Sequence, residues 1–464
     1  MQASPSRWQA AAIAIALLAA PPAARAEMDA ETAARFQALE QELATVKRKL
    51  EVKEEADDAK AKLTPIVGAG KDGFFLRSPD GKAFQLRLRG YVQADTRWFE
   101  HGDSAGNDTF ALRRVRPIFE GTLLENIDFR IMPDFAGGSP TLFDAYINLK
   151  YLPEAQLQIG KFKSPIGLER LQSATANTFV ERGLPTFLVP TRDLGVQVWS
   201  DLREGMFSYA IGAFNGARDS GNADLNDIDT NDAKDVAARV FTQPFLETNW
   251  EALRGFGIGM GFSYGNENNQ AAPSFRLAYD SGNFFAYRGA TTGVGALPAV
   301  QADGAHLRLA PQGTWYWGPF GLLWEYTLSR QRLERGAGNR VTAANQSWQV
   351  AASYVLTGEN ATFKGVVPRA DFAIDGSGWG AFELAARYGQ LRIDHDVFPF
   401  YADPAVAARG LDQWTIGANW YLNRWLRIVL NFENNTFNGG AAPVGTDADR
   451  HSERVFLTRV QVNY

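Results

Sequence analysis

The sequence contains no cysteine, which excludes disulfides, thiolate zinc sites and a cysteine nucleophile. It has only four histidines, His101, His306, His395 and His451. Each falls in a loop or near the end of an expected strand, and none shares an arrangement with a serine and a carboxylate that would support a triad. Beyond the N-terminus there is no run of about 18 apolar residues, so no retained transmembrane helix is expected. Net positive charge is also missing. The formal charge is −5 over 464 residues, which argues against a nucleic-acid partner.

Metal motifs are equally thin. In "IDHDVF" a single histidine, His395, stands between Asp394 and Asp396, the pattern of a solvated loop. Asp227, Asp229 and Asn231 alternate as calcium ligands do, but Asp232 and Ala238 occupy the positions of the loop glycine and the terminal glutamate. Neither metal nor cofactor is expected, and no catalytic residue.

What is present begins with a targeting segment. Arg7 precedes an apolar stretch from Ala10 to Ala20, and Ala24-Arg25-Ala26 fits a small-x-small cleavage site. Residues 1–26 therefore read as a signal peptide, and the mature chain as exported. Residues 27–63 are rich in Ala, Glu and Lys, and Phe36, Leu39, Leu43, Val46 and Leu50 recur at spacings of three and four. That seam predicts a short periplasmic coiled coil, hence an oligomer, against the alternative of a single solvated helix. Residues 64–83 read as a linker.

From Phe84 to Tyr464 the pattern changes to alternating segments separated by turn residues. Sixteen strands are expected, near 84–98, 110–124, 127–135, 141–151, 155–163, 193–203, 205–215, 234–246, 254–266, 304–317, 319–331, 346–357, 379–394, 410–422, 424–437 and 453–464. Short links such as "LPEA" and "YWGPF" tend to alternate with longer polar ones, 214–233, 267–303, 332–345, 395–409 and 438–452. An even strand count with short turns on one side and long loops on the other describes an all-β, sixteen-stranded antiparallel transmembrane β-barrel. Trp98, Trp199, Trp315, Trp317, Trp324, Trp414, Trp420 and Trp425 lie at or near strand ends, as interfacial girdles require.

Strand periodicity then separates lipid from lumen. In "FQLRLRGYVQAD", Leu86 and Leu88 share one face while Arg87 and Arg89 share the other. Arginine facing lipid at the midplane costs on the order of 2 to 4 kcal/mol, so the arginines point inward. By the same test Arg114 and Arg116 in "ALRRVRPIFEG" face the lumen. Arg113 then points outward unless it sits at the strand mouth or the strand bends or bulges there. Lys161 and Lys163 either line the pore or anchor the following segment. That segment, 164–192, is about 29 residues long and carries Leu168, Leu171, Phe179, Leu184, Phe187 and Leu188, too apolar for a solvated loop. It is expected to fold against the lumen wall.

"GKFKSPIGLERLQSATANTFVERGLPTFLVPTRDLGVQ", "LRRVRPIFEG", "TLFDAYINLKY" and the ending "VQVNY" resemble the phosphate- and pyrophosphate-selective porins, of the O and P type, of bacterial outer membranes. The resemblance runs from about Phe84 to the end. It implies a homotrimer of sixteen-stranded barrels in outer-membrane lipid, with the third loop folded inward and a basic ladder leading anions to a constriction. It places Arg113 and Arg114 at the family's paired arginines of the second strand, and Asp144 at its constriction aspartate. Arg170 stands at a position that phosphate-selective members fill with lysine, Ser173 among the hydroxyl residues that follow, and Arg182 at the loop arginine. Tyr91 and Ala174 depart from the pattern, standing where those members carry an arginine and a serine. The expected solute is inorganic phosphate or another small anion. A broad anion or small-solute porin is the alternative, and so is a structural barrel tethered to the cell envelope. Arg114 and Asp144 could also simply neutralise one another.

Overall fold

The computed structural model describes residues 30–61, 63–70, 73–100, 106–223, 232–280, 282–440 and 450–464. The expected signal peptide with its cleavage site, His101, and the calcium-like Asp227, Asp229 and Asn231 lie outside the described residues. The chain divides into two units, residues 1–66 and 67–464. In the first, helix α1 spans Ala30–Ala61. Its seam residues Phe36, Leu39, Leu43, Val46 and Leu50 are all more than half exposed. No described helix is long and apolar enough to cross a membrane.

The second unit is a closed barrel of sixteen antiparallel strands: β1 (Phe84–Phe99), β2 (Thr109–Leu123), β3 (Ile127–Asp134), β4 (Thr141–Leu149), β5 (Gln156–Phe162), β6 (Asp193–Leu202), β7 (Phe207–Phe214), β8 (Asp235–Thr242), β9 (Gly255–Ala271), β10 (Gln301–Trp317), β11 (Phe320–Glu334), β12 (Arg340–Val355), β13 (Ala381–Arg392), β14 (Gly410–Tyr421), β15 (Leu426–Phe437) and β16 (Ser452–Asn463). Each strand pairs with the next, and β16 returns to β1 with Val455 opposite Phe99 and Asn463 opposite Tyr91. Closure leaves no terminal edge strand, as a lipid environment demands, although β2 pairs with β3 only over Phe119–Leu123.

The wall is inverted relative to a water-soluble protein. On β16, Glu453, Arg459 and Gln461 are buried inside while Phe456, Val460 and Val462 stand exposed on the outside. Aromatic contacts mark both rims: Trp315–Phe320 and Phe382–Trp420 near the short turns, Trp98–Phe110, Trp348–Tyr388 and Trp414–Phe432 nearer the long loops. Trp199 departs from the girdle reading. Its indole points inward and donates to Asn148 Oδ1 at 2.9 Å.

Three further differences from the sequence reading have physical causes. Within 64–83, Ile66–Gly70 and Gly73–Arg77 form a hairpin, whose second strand pairs with the start of β1. Strand β12 begins at Arg340, six residues before its expected start, and β9 continues to Ala271. Strand ends above the bilayer meet no lipid, so their outward residues need not be apolar. The connection after β9, read as polar, buries Phe275, Leu277, Tyr279, Phe284 and Phe285 in a core shared with Leu184 and Leu188. Phe187 meets Phe275 and Phe284 at ring-centroid distances of 5.8 and 5.6 Å.

Candidate functional site

The barrel encloses a cavity of about 930 Å³. Its charged lining comprises ten arginines and Lys163 against three acids, Asp144, Glu181 and Glu433, among the described residues. The lining of this cavity is therefore positive although the chain as a whole is acidic.

Arg113 and Arg114 both line the cavity, and the backbone explains how consecutive residues do so. Between β1 and β2, Gln93 pairs with Arg114 but Ala94 pairs with Leu112. Arg113 is the extra residue of a β-bulge, which turns its side chain off the lipid face. Beyond the bulge the alternation is restored, with Leu112 and Phe110 exposed outward. Arg113 grips Glu181 through two bonds, Nε to Oε1 at 2.6 Å and Nη2 to Oε2 at 3.1 Å. Arg114 approaches the same carboxylate at 3.6 Å and donates to Gln93 Oε1 at 2.7 Å. Arg459, paired with Asp95, reaches Glu181 at 3.2 Å. One carboxylate thus gathers three guanidinium groups.

Arg116 lies 3.8 Å from the centre of the Phe143 ring, donates to Asp134 at 2.8 Å and to the Tyr91 hydroxyl at 2.9 Å. Tyr91, where the resemblance expects an arginine, therefore accepts a hydrogen bond instead of adding charge. Asp144 does not pair with Arg114. It binds Arg192 at 2.6 Å and Arg130 at 3.4 Å, and Arg130 also approaches Glu120 at 3.5 Å. Arg89 pairs with Glu120 at 3.1 Å.

Arg170, Arg182 and Lys163 are different in kind. Arg170 Nη2 donates to the Thr186 carbonyl at 2.5 Å, and its Nε has no partner. Arg182 donates to the carbonyls of Glu169 and Gln172 at 3.0 and 2.8 Å. Lys163 donates to those of Leu171 and Gln172 at 3.1 and 2.8 Å. Among the described residues no carboxylate lies within 4 Å of these three cations, and all three face the cavity. Ser173 is exposed to it as well, its hydroxyl 2.8 Å from that of Thr175.

The segment carrying these residues is held against the inner wall by hydrogen bonds to inward side chains of many strands. Glu325 on β11 accepts from the N–H groups of Leu168 and Glu169 at 2.9 and 3.1 Å. Glu169 accepts from the Gly183 N–H and from Gln349 on β12 at 2.7 and 2.8 Å. Asn431 accepts from the Val180 N–H at 2.7 Å, while Gln93, Arg387, Asn419 and Gln461 donate to the segment's carbonyls. Buried backbone groups that a loop would ordinarily show to water are satisfied by the wall.

Two of the expected basic residues lie apart from the cavity. Lys161 is 1% exposed and donates to the Ala223 carbonyl, so it ties down the connection after β7. Arg87 is not among the lining residues, and Gln85 is the side chain it meets. Residues that the sequence reading missed include Glu181, Arg192, Arg130 and Arg276. Glu181 sits beside Arg182 within the quoted "VERG", and Arg192 within "PTRDLG", but spacing alone does not show which distant charge meets them. A second missed group lies deeper in the wall. Arg308 binds Asp219 at 2.7 Å and Asp235 at 3.0 Å, beside His306, which bonds Ser329 at 2.9 Å. It fastens the connection after β7 to β10 and β11. Among the described residues no group of three or more His, Cys, Asp and Glu could hold a metal.

Solved structures similar to this chain include outer-membrane proteins. DcaP, an outer membrane channel of Acinetobacter baumannii, is 12% identical with a TM-score of 0.51, covering 82% of this chain and 98% of its own. OmpT, an outer membrane protein of Vibrio cholerae solved in a trimer form, is 13% identical with a TM-score of 0.50, covering 82% and 100%. At such identities the likeness is one of fold. No curated protein is significantly similar. The model of the family described as phosphate-selective porin O and P matches residues 84–464, the whole barrel. With a closed sixteen-stranded wall, a basic lumen and that match over most of its length, the chain belongs to the phosphate-selective porin O and P family.

Proposed function

We propose that this outer-membrane porin is a passive channel for small anions, with inorganic phosphate or pyrophosphate as its preferred solute. The observation that carries the proposal is the trio Arg170, Arg182 and Lys163, cations that face the cavity with no carboxylate within 4 Å among the described residues. Phosphate must shed part of its hydration to pass a narrow pore. Arginine forks and an ammonium replace that water with charge-assisted hydrogen bonds, and the exposed Ser173 hydroxyl supplies another. Arg113, Arg114, Arg116 and the Arg192–Asp144–Arg130 trio add field around the path. Asp144 and Glu181 limit the depth of the well, so that a bound anion escapes.

Residues 164–192 form the constriction loop in this reading. The exposed seam of α1 supports a coiled coil in the periplasm over 27–63, preceded by a cleaved signal peptide, 1–26, and joined through 64–83 to the barrel, 84–464. The assembly is a homotrimer, a reading supported by the trimer form recorded for OmpT. Family and fold are typical of channels rather than enzymes.

A broad anion pore is the second reading, and one observation favours it. Glu181 already occupies Arg113 and Arg114, which the resemblance places at the family's paired arginines of the second strand. Planar-bilayer recording separates the two. The expected result is a reversal potential of anion sign, with chloride conductance reduced by millimolar phosphate. Chloride conductance indifferent to phosphate would leave the broad-anion pore, and cation preference would overturn both.

A further inference from the structure

The outer wall carries charges that the pore does not use. On β11 the outward residues Trp324, Tyr326 and Leu328 are followed, on the same face, by Arg330 and Arg332, both exposed. Arg330 lies ten residues into a strand that starts at a short turn. At about 3.3 Å per residue and a tilt of about 40°, that places it roughly 25 Å above the turn, at the upper edge of an apolar band. The two guanidinium groups leave the wall about 7 Å apart.

Three other outward arginines of the wall are neutralised. Arg340 pairs with Glu334 at 2.7 Å, Arg392 with Asp412 at 2.6 Å and Arg454 with Glu100 at 3.1 Å. Arg330 and Arg332 have no acid within 4 Å among the described residues. The wall also makes room for one of them. Strand β10 is bulged between Ala302 and His306, and Gly304 there has φ of 113°. A Cβ on Gly304 would come within 2.6 Å of Arg332 Cδ, so the glycine seats the arginine stem.

We propose that Arg330 and Arg332 bind a phosphate group of a phosphoglycolipid in the outer leaflet. Its acyl chains lie along Leu328, Tyr326 and Trp348, the last directly opposite Tyr326 on β12. Two unneutralised forks give a bidentate seat for phosphate, and the apolar aromatic surface beneath selects a lipid over the free anion.

The test uses the full-length protein in detergent, incubated with bisphosphorylated lipid A or its dephosphorylated form, with bound lipid counted by native mass spectrometry. Wild type should retain the phosphorylated lipid, and the double variant R330Q/R332Q should bind it at least tenfold more weakly. R340Q, whose arginine already has its acid, should behave as wild type, and chloride conductance and oligomeric state should be unchanged in all three. Equal retention by the double variant would overturn the assignment, as would equal retention of dephosphorylated lipid by wild type. Loss of the oligomer in R330Q/R332Q would instead make the pair a contact between subunits and overturn it too.

Discussion

Replacing Arg170 by alanine tests whether unpaired cations set phosphate recognition. A unit charge about 4 Å from a bound anion is worth about 1 kcal/mol in bulk water and about 4 kcal/mol at an effective dielectric of 20. A narrow, water-filled pore lies between these limits, so the loss is about 2 kcal/mol, or about 30-fold in the concentration of phosphate that halves chloride conductance. Folding should hardly change, because among the described residues Arg170 neutralises no carboxylate and bonds only the Thr186 carbonyl. That contact is worth about 1 kcal/mol. Arg113→Ala is the instructive contrast: it takes from Glu181 its shortest ion pair, 2.6 Å, and should cost about 3 kcal/mol of stability. The assay is phosphate titration of single-channel chloride current, with heat-modifiable electrophoretic mobility as the check on the barrel. If R170A kept a half-inhibitory phosphate concentration within twofold of wild type, the assignment of the unpaired cations would be wrong.

Two other substitutions probe the frame around the site. Glu181→Gln removes the charge shared by Arg113, Arg114 and Arg459. The reversal potential should shift toward stronger anion preference while stability to denaturant falls by about 1–3 kcal/mol; an unchanged potential would mean that these guanidinium groups do not face permeating ions. Glu325→Ala leaves the Leu168 and Glu169 N–H groups without their acceptor, each at a cost of about 1–3 kcal/mol. Loosening of the segment should appear as added open-channel current noise, and noise equal to wild type would show that Glu325 does not hold it.

The legible part of this protein was what local periodicity controls. Leu86 and Leu88 against Arg87 and Arg89 assigned the two faces of β1 from four letters, because lipid tolerates one pair and not the other; Arg89 lies on the cavity and Arg87 does not. Misreadings cluster where lipid stops acting as judge. The polar start of β12 and the connection holding Phe275 and Phe284 lie toward the long-loop side, where sequence shows polarity and only packing shows what is covered. Arg113 is the sharpest case. Strict alternation sends it outward, and the single extra residue of the bulge brings it in.

The amino-acid sequence by itself determined the strand order, the closed wall and the inward face of Arg89, Arg114 and Arg116, since a period of two and the cost of charge in lipid act residue by residue. Which of those arginines remain available to an anion was decided only in three dimensions. Glu181 reaches Arg113 across 68 residues of chain and Arg459 across 278. Arg192 meets Asp144 across 48, while among the described residues no carboxylate arrives at Arg170, Arg182 or Lys163. Ion pairing depends on distance in space, and barrel closure sets that distance without leaving a trace in the local pattern.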